Sequence, residues 1–322
     1  MSIFKANERE ELYLYGIRAL ACIAVIVHHC CIYFEAKYSL VQLGRGAVGI
    51  FLVLSGYLLT GQLKRELNST GSLNFRAFYL KRILRILPVT YVAIFFAYCL
   101  NRLLVLYPDA QYWTSFTFLL NIIDLPVPEN ILHFWSLCVE MHCYVLLPLL
   151  LFSLRTTKVM AAYLYGAAFL AVFPAIFLVA YAPDFQAYTT YTWAWAVLLG
   201  AAAAYKMPGV KCLFFGIFIS IVIILVAKNF NYTLDAFRYL LGLIGLLLIQ
   251  QGSSGKLKFL STRPMVILGK LSFSLYVYQQ FVFSSNIPKT YFALAVVLCG
   301  FFTYASYRWI EVPCHRLRKR IV

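Results

Sequence analysis

The sequence predicts an all-α protein, a polytopic bundle of membrane-crossing helices, and three observations carry that reading. Of its 322 residues, 62% are hydrophobic. Only 12% are charged, about half of the roughly 25% usual in a soluble domain. Apolar runs recur along the whole length, without the polar stripes that helices of a soluble core carry on their outer faces.

A crossing helix takes about 20 mostly apolar residues. Such runs fall near 12–34, 44–63, 86–107, 134–154, 159–182, 188–205, 210–228, 236–251, 265–286 and 291–310, which makes ten. The run "WTSFTFLLNII" (113–123) is too short to cross and is expected to be interfacial or re-entrant. Charge sets the orientation. With the N-terminus inside, nineteen basic residues face the cytoplasm, among them Lys64, Arg65, Arg76, Lys81, Arg155, Lys158, Lys256 and the cluster Arg316 to Arg320. Five face outward: Lys37, Arg45, Lys228, Arg238 and Lys289. That is the positive-inside bias, and it places both termini in the cytoplasm. The net charge of +16 is therefore topological, and no nucleic-acid partner is expected; the surroundings are membrane lipid.

No cleavable leader is expected, because the first run is too long for a signal segment and lacks a small-residue cleavage site. One integral-membrane domain is expected over 1–322, with no soluble domain appended. The nine cysteines are odd in number, lie mostly in apolar runs and include no C-x-x-C, so they read as small packing residues.

Ionisable residues within spans are candidates for function, because lipid makes them costly. Arg18 and His29 share the first span, eleven residues apart, which is close to three whole turns and about 16 Å along the axis. They point the same way, Arg18 toward the cytoplasm and His29 toward the outside. The run "HHCC" (28–31) suggests a metal site by residue type, but four consecutive helical residues fan around the axis, so no metal is expected. Counted from the outer end of its span, Glu140 lies about two turns deep, similar to His29. A carboxylate against an imidazole would fix its tautomer and raise its basicity. A carboxylate that only neutralises a structural arginine fits the depth equally well. Ser136, four residues before Glu140, shares its face.

Arg82 and Arg85 are three apart at the cytoplasmic start of the third span, where forked guanidinium donors suit phosphate oxygens or simply anchor the helix among lipid headgroups. Pro88 follows, near the expected helix start. Gly44, Gly46, Gly49, Gly56 and Gly61 make the second span a close-packing one.

Taken in order, these segments resemble the integral-membrane acyltransferase family 3, bacterial multi-span O-acyltransferases of surface glycans. "GIRALACIAVIVHH" resembles its opening, with an arginine and a histidine eleven residues on. "GIFLVLSGYLLT" resembles "FFVLSGFLI", "FYLKRILRILP" resembles "FyxRRxxRixP", and "FWSLCVEMHCYVLLPLL" resembles "WSLSVEEQFYLLLPLL". "LGKLSFSLYVYQ" resembles "LGxxSYSLYLWH", and "YRWIEVP" resembles "YRFIERP". Gln279 stands where the family often has histidine, and a glutamine cannot titrate.

The resemblance implies transfer of an acyl group, acetyl by default, from an acyl-coenzyme A donor to a hydroxyl of a glycan or glycolipid acceptor, in the bacterial plasma membrane. No tightly bound cofactor is implied; acetyl-CoA is a substrate. Carried onto this chain, it gives His29, Glu140 and Arg18 to catalysis, Arg82 and Arg85 to the donor's phosphates, and Ser136, Trp135, Ser55, Tyr276 and Gln279 to support. In that reading His29, oriented by Glu140, takes the proton of the acceptor hydroxyl that attacks the thioester, directly or through a transient acyl-histidine. The alternative is a transporter in which Arg18, His29 and Glu140 form a relay without acyl chemistry; it calls for interrupted helices at matched positions in two halves, which the sequence does not show.

Overall fold

Among the described residues, ten helices of 15 residues or more fall on the ten apolar runs. The computed structural model describes residues 3–35, 41–154, 159–181, 188–226, 230–284 and 286–321; Lys37, Arg155, Lys158 and Lys228 lie outside them. In order come α1 (Ile3–Tyr33), α2 (Val41–Thr70), α3 (Phe75–Leu104), the short α4 (Trp113–Phe116) and α5 (Glu129–Leu132), and α6 (Trp135–Leu154). Then follow α7 (Met160–Tyr181), α8 (Thr190–Tyr205), α9 (Val210–Val226), α10 (Phe230–Ser253), α11 (Arg263–Gln279), α12 (Phe292–Ser306) and α13 (Val312–Arg320). A π-helical turn, Tyr307–Glu311, joins the last two. The described residues contain no strand.

Five stretches are long and apolar enough to cross a membrane: Leu12–Tyr33, Gly46–Thr70, Phe75–Leu104, Glu129–Phe152 and Lys289–Arg320. Shorter apolar helices stand beside them. α8 spans 16 residues and α9 spans 17, about 24 to 26 Å at 1.5 Å per residue, against a hydrocarbon core of about 30 Å.

α3 begins eleven residues before the apolar run, so Pro88 is interior rather than near the start. Hydropathy marked only the greasy part. The true start is fixed by Asn74, whose side chain accepts from the Ala77 backbone N–H at 3.0 Å, an N-cap. Arg82 and Arg85 therefore sit two to three turns inside a helix.

α2 is the hub, packed against α1, α8 and α10. Its contact with α8 depends on two glycines. A Cβ on Gly200 would stand 1.9 Å from the Val53 carbonyl oxygen, and one on Gly56 would stand 2.1 Å from that of Val197. Backbone meets backbone here, as small-residue packing in membranes allows. Trp193 and Leu54 are buried nearby in the core.

The segment 105–134 does not run through the bundle as a helix. It folds onto it through α4, turns and α5, burying Thr114, Phe118, Asn121, Asn130 and Ile131. Asn121 donates to Thr190 at 3.0 Å, and the Tyr107 hydroxyl bonds that of Ser284 at 2.8 Å.

Candidate active site

α1, α2, α3, α6 and α11 enclose a small cavity lined by Arg18, Ser55, Arg85, Ser136, Glu140, Ser272 and Tyr276, with apolar walls that include Phe51 and Leu52. Six of the sequence-marked residues are thus brought together: Arg18, Ser55, Arg85, Ser136, Glu140 and Tyr276. Periodicity explains each pair from one helix. Ser136 and Glu140 are one turn apart on α6, and Ser272 and Tyr276 are one turn apart on α11.

Glu140 is held by hydroxyls. Its Oε1 accepts from Ser55 Oγ at 2.8 Å and from the Tyr144 hydroxyl one turn on, which leaves the second oxygen for the cavity. Arg18 donates through Nε to Ser272 Oγ at 3.2 Å. A second carboxylate, Glu311, arrives from the π-helical turn; its Oε1 accepts from the Ser274 backbone N–H at 3.2 Å and from the Ser274 hydroxyl. Arg18 and Arg85 both lie in the electrostatic field of Glu140 and of Glu311. Neither arginine closes an ion pair with these carboxylates within 4 Å. Arg18, Arg85 and Glu140 thus line the cavity, with Glu311 outside its lining but within the arginines' electrostatic reach, and the guanidinium donors are only partly used. The cavity measures about 50 Å³, space for a few waters.

Arg82 is separated from Arg85. It is buried, donates to Gln62 Oε1, and lies 5.3 Å from the ring centres of both Phe78 and Tyr144. Residues three apart on α3 share a face but diverge by some 60°, and that angle puts Arg85 in the cavity lining and Arg82 beside it, against Gln62 of α2. Trp135 also points away, stacking on Trp193 and Tyr188 at 5.1 and 5.4 Å.

The expected His29–Glu140 pair is not formed. The His29 ring meets His28 at 4.8 Å and stacks on Phe283 at 6.4 Å, and its electrostatic neighbours are His28 and His133. Glu140 instead stands level with Arg18. The depth count failed because it began at the membrane surface, whereas segment 105–134 covers the outer end of α6. The fan-out of "HHCC" does hold: the His28 ring lies over Gly44, where a Cβ would stand 2.2 Å from it, while His29 turns to Phe283.

Between cavity and histidines stands a hydroxyl pair. Ser136 Oγ and the Tyr276 hydroxyl are 2.6 Å apart, and the same Tyr276 hydroxyl donates to the His133 carbonyl at 2.8 Å. The cavity lining stops at this pair. Beyond it, the His133 ring lies against the backbone carbonyls of Tyr276 and Val277, and the carboxamide atoms of Gln279 are buried without a protein partner among the described residues, a condition costing about 1–3 kcal/mol per group.

Sequence reasoning missed Tyr144, Glu311 and His133. Tyr144 carried a signal, being four residues after Glu140. Glu311 did too, as a carboxylate inside the quoted "YRWIEVP".

The acyltransferase domain family matches residues 11–307. The chain is 25% identical to O-acetyltransferase OatA of Staphylococcus aureus (strain NCTC 8325 / PS 47), over 94% of this chain and 56% of that protein. It is also 25% identical to the protein named "Putative O-acetyltransferase SACOL0978" of Staphylococcus aureus (strain COL), over 92% and 56%. The chain thus spans a little over half the length of these relatives. No solved structure matches it. With the family matched over nearly the whole chain, and the arginine, glutamate and serine of its motifs meeting in one cavity, the chain belongs to the acyltransferase 3 family.

Proposed function

We propose that this protein is a membrane O-acyltransferase that moves an acyl group, acetyl by default, from acyl-coenzyme A to a hydroxyl of a cell-surface or lipid-linked glycan. The observation that carries the reading is the cavity in which Arg18 and Arg85 keep free donors beside Glu140, with the charge of Glu311 also within reach. A polyanionic cytosolic donor needs such cations, and the balancing carboxylates keep them from being an uncompensated charge in lipid. The family match favours acyl chemistry over a relay without it. The ten-crossing topology, the bacterial plasma membrane and cytoplasmic termini belong to the same proposal, supported by the positive-inside bias.

In this scheme Arg85 and Arg18 draw the donor into the cavity, and the thioester reaches past the Ser136–Tyr276 pair toward His29. His29 takes the acceptor hydroxyl's proton as the new C–O bond forms and the C–S bond breaks, and the thiolate leaves as coenzyme A. Glu140 serves the cations rather than the imidazole. Arg82 supports the site by bracing α3 against α2.

Release of free coenzyme A from acetyl-CoA by the solubilised protein tests this. Arg85→Ala is expected to reduce release well over tenfold, while Arg82→Ala, which removes a packed and hydrogen-bonded side chain, lowers the melting temperature as well. His29→Ala is expected to lower acyl transfer by the 10²–10⁴-fold typical of a lost general base. A wild-type protein that releases no coenzyme A, or a His29→Ala protein with unaltered transfer, overturns the reading.

A further inference from the structure

We propose that His133 and Gln279 form the subsite that holds the acceptor's hydroxyls beside His29; the inference deepens the acyl-transfer reading and rests on it. His133 is 5% exposed and Gln279 is 1% exposed. Both carboxamide atoms of Gln279 lack a protein partner among the described residues, and the His133 ring meets only the neighbouring backbone carbonyls of Tyr276 and Val277, outside full hydrogen-bond geometry. Native interiors seldom leave such atoms unsatisfied.

Their position ties them to the chemistry. The His133 ring lies 5.1 Å from that of Tyr276, beside the carbonyls of Tyr276 and Val277 near the end of α11, and in the electrostatic field of His29. Gln279 is three residues beyond Tyr276, on the same face of α11 and about 4.5 Å further along its axis. His29 is only half-buried, so the cluster reaches the surface at one edge. The donor cavity ends on the other side of Tyr276 and does not include these residues.

The donor set selects the ligand class. A neutral imidazole offers one donor and one acceptor, and a carboxamide offers two donors and one acceptor. A hydroxyl both donates and accepts. Adjacent hydroxyls of a sugar match this uncharged pair, whereas a carboxylate or phosphate would want the arginines on the far side of Tyr276. Glutamine serves here as well as histidine, because the task is hydrogen bonding and needs no titration.

His133→Phe and Gln279→Leu remove the polar atoms and keep the bulk. In full-length protein expressed in its native cells, three quantities separate the outcomes: alkali-labile acyl groups on surface glycans, acetyl-CoA hydrolysis by isolated membranes, and the melting temperature of the solubilised protein. Glycan acylation is expected to fall at least about tenfold, as when a site loses the hydrogen bonds that select a hydroxyl. Hydrolysis is expected to stay within about twofold, and the melting temperature of Gln279→Leu is expected not to fall, because its carboxamide gives up no protein hydrogen bond. Gln279→His is expected to restore acylation. Unchanged acylation overturns the proposal, as does a joint fall of acylation, hydrolysis and melting temperature, which would mean that these groups only hold the fold. Wild-type membranes that release no coenzyme A would overturn the acyl-transfer reading instead, a result no subsite defect can imitate.

Discussion

Glu140 is the residue on which the cavity turns, because its one oxygen gathers hydroxyls from α2 and α6 while its charge faces Arg18 and Arg85. Removing the Tyr144 hydroxyl therefore has a defined cost. Tyr144→Phe deletes a hydrogen bond to a charged group, worth about 1.5–3 kcal/mol, and should lower the melting temperature measured in detergent. Glu311→Gln keeps a hydrogen-bond acceptor for Ser274 but removes one of two anions opposing the arginines. With more positive charge left uncompensated, that variant should bind the polyanionic donor more tightly at low salt, and the gain should disappear on adding salt; unchanged kinetics would place Glu311 outside the charge balance. Much of this was legible in the sequence: Arg18, Arg85, Ser136 and Glu140 were marked by their cost in lipid and by helical spacing. The His29–Glu140 pairing was misread because residue counting gives depth only when the outer end of the helix is known, and α6 starts beneath a folded cover. Glu311 was overlooked because a carboxylate near a basic terminus reads as surface until a π-helical turn carries it inward.

At the scale of elements, hydropathy located every long helix but not its ends. α3 shows why. Its first eleven residues are amphipathic and basic, and only the Asn74 cap declares them helical. The α2–α8 contact gives the cleanest test of packing. Gly200→Ala puts a methyl into the Val53 carbonyl, and overpacking of this kind costs about 1–3 kcal/mol or more. Gly166→Ala on α7 meets nothing within 4 Å and gains helix propensity of up to about 1 kcal/mol. The first variant should melt lower than wild type, and the second at the same temperature or higher. Equal melting temperatures would show that α2 and α8 do not approach so closely in the membrane.

Over the whole molecule, the positive-inside rule makes the distribution of basic residues the guide to which end of the bundle would meet the cytosol. Lys289, paired with Glu35 at 3.0 Å, and Lys256, in the turn after α10, fall on opposite sides in the positive-inside arrangement. With a membrane-impermeant thiol reagent on intact cells, Lys289→Cys should be labelled above the background of the native cysteines, while Lys256→Cys should require permeabilisation. The reverse pattern would invert the bundle and put the donor cavity's arginines on the wrong side. The number of crossings was the least legible feature. Short helices such as α8 and α9 depend on neighbours rather than on their own length, and sequence alone does not report that shelter.

The Ser136–Tyr276 contact also bears on the cell's energy supply. A membrane that stores a voltage cannot tolerate a wet shaft through it, since each unit charge slipping down 100 mV dissipates about 2.3 kcal/mol. In the proposed membrane setting, two hydroxyls clasped between α6 and α11 would act as an electrical stopper while an acyl group is handed outward. Cells carrying Tyr276→Ala should for that reason show a lower resting potential, by a voltage-sensitive dye, before any change in their glycans is looked for.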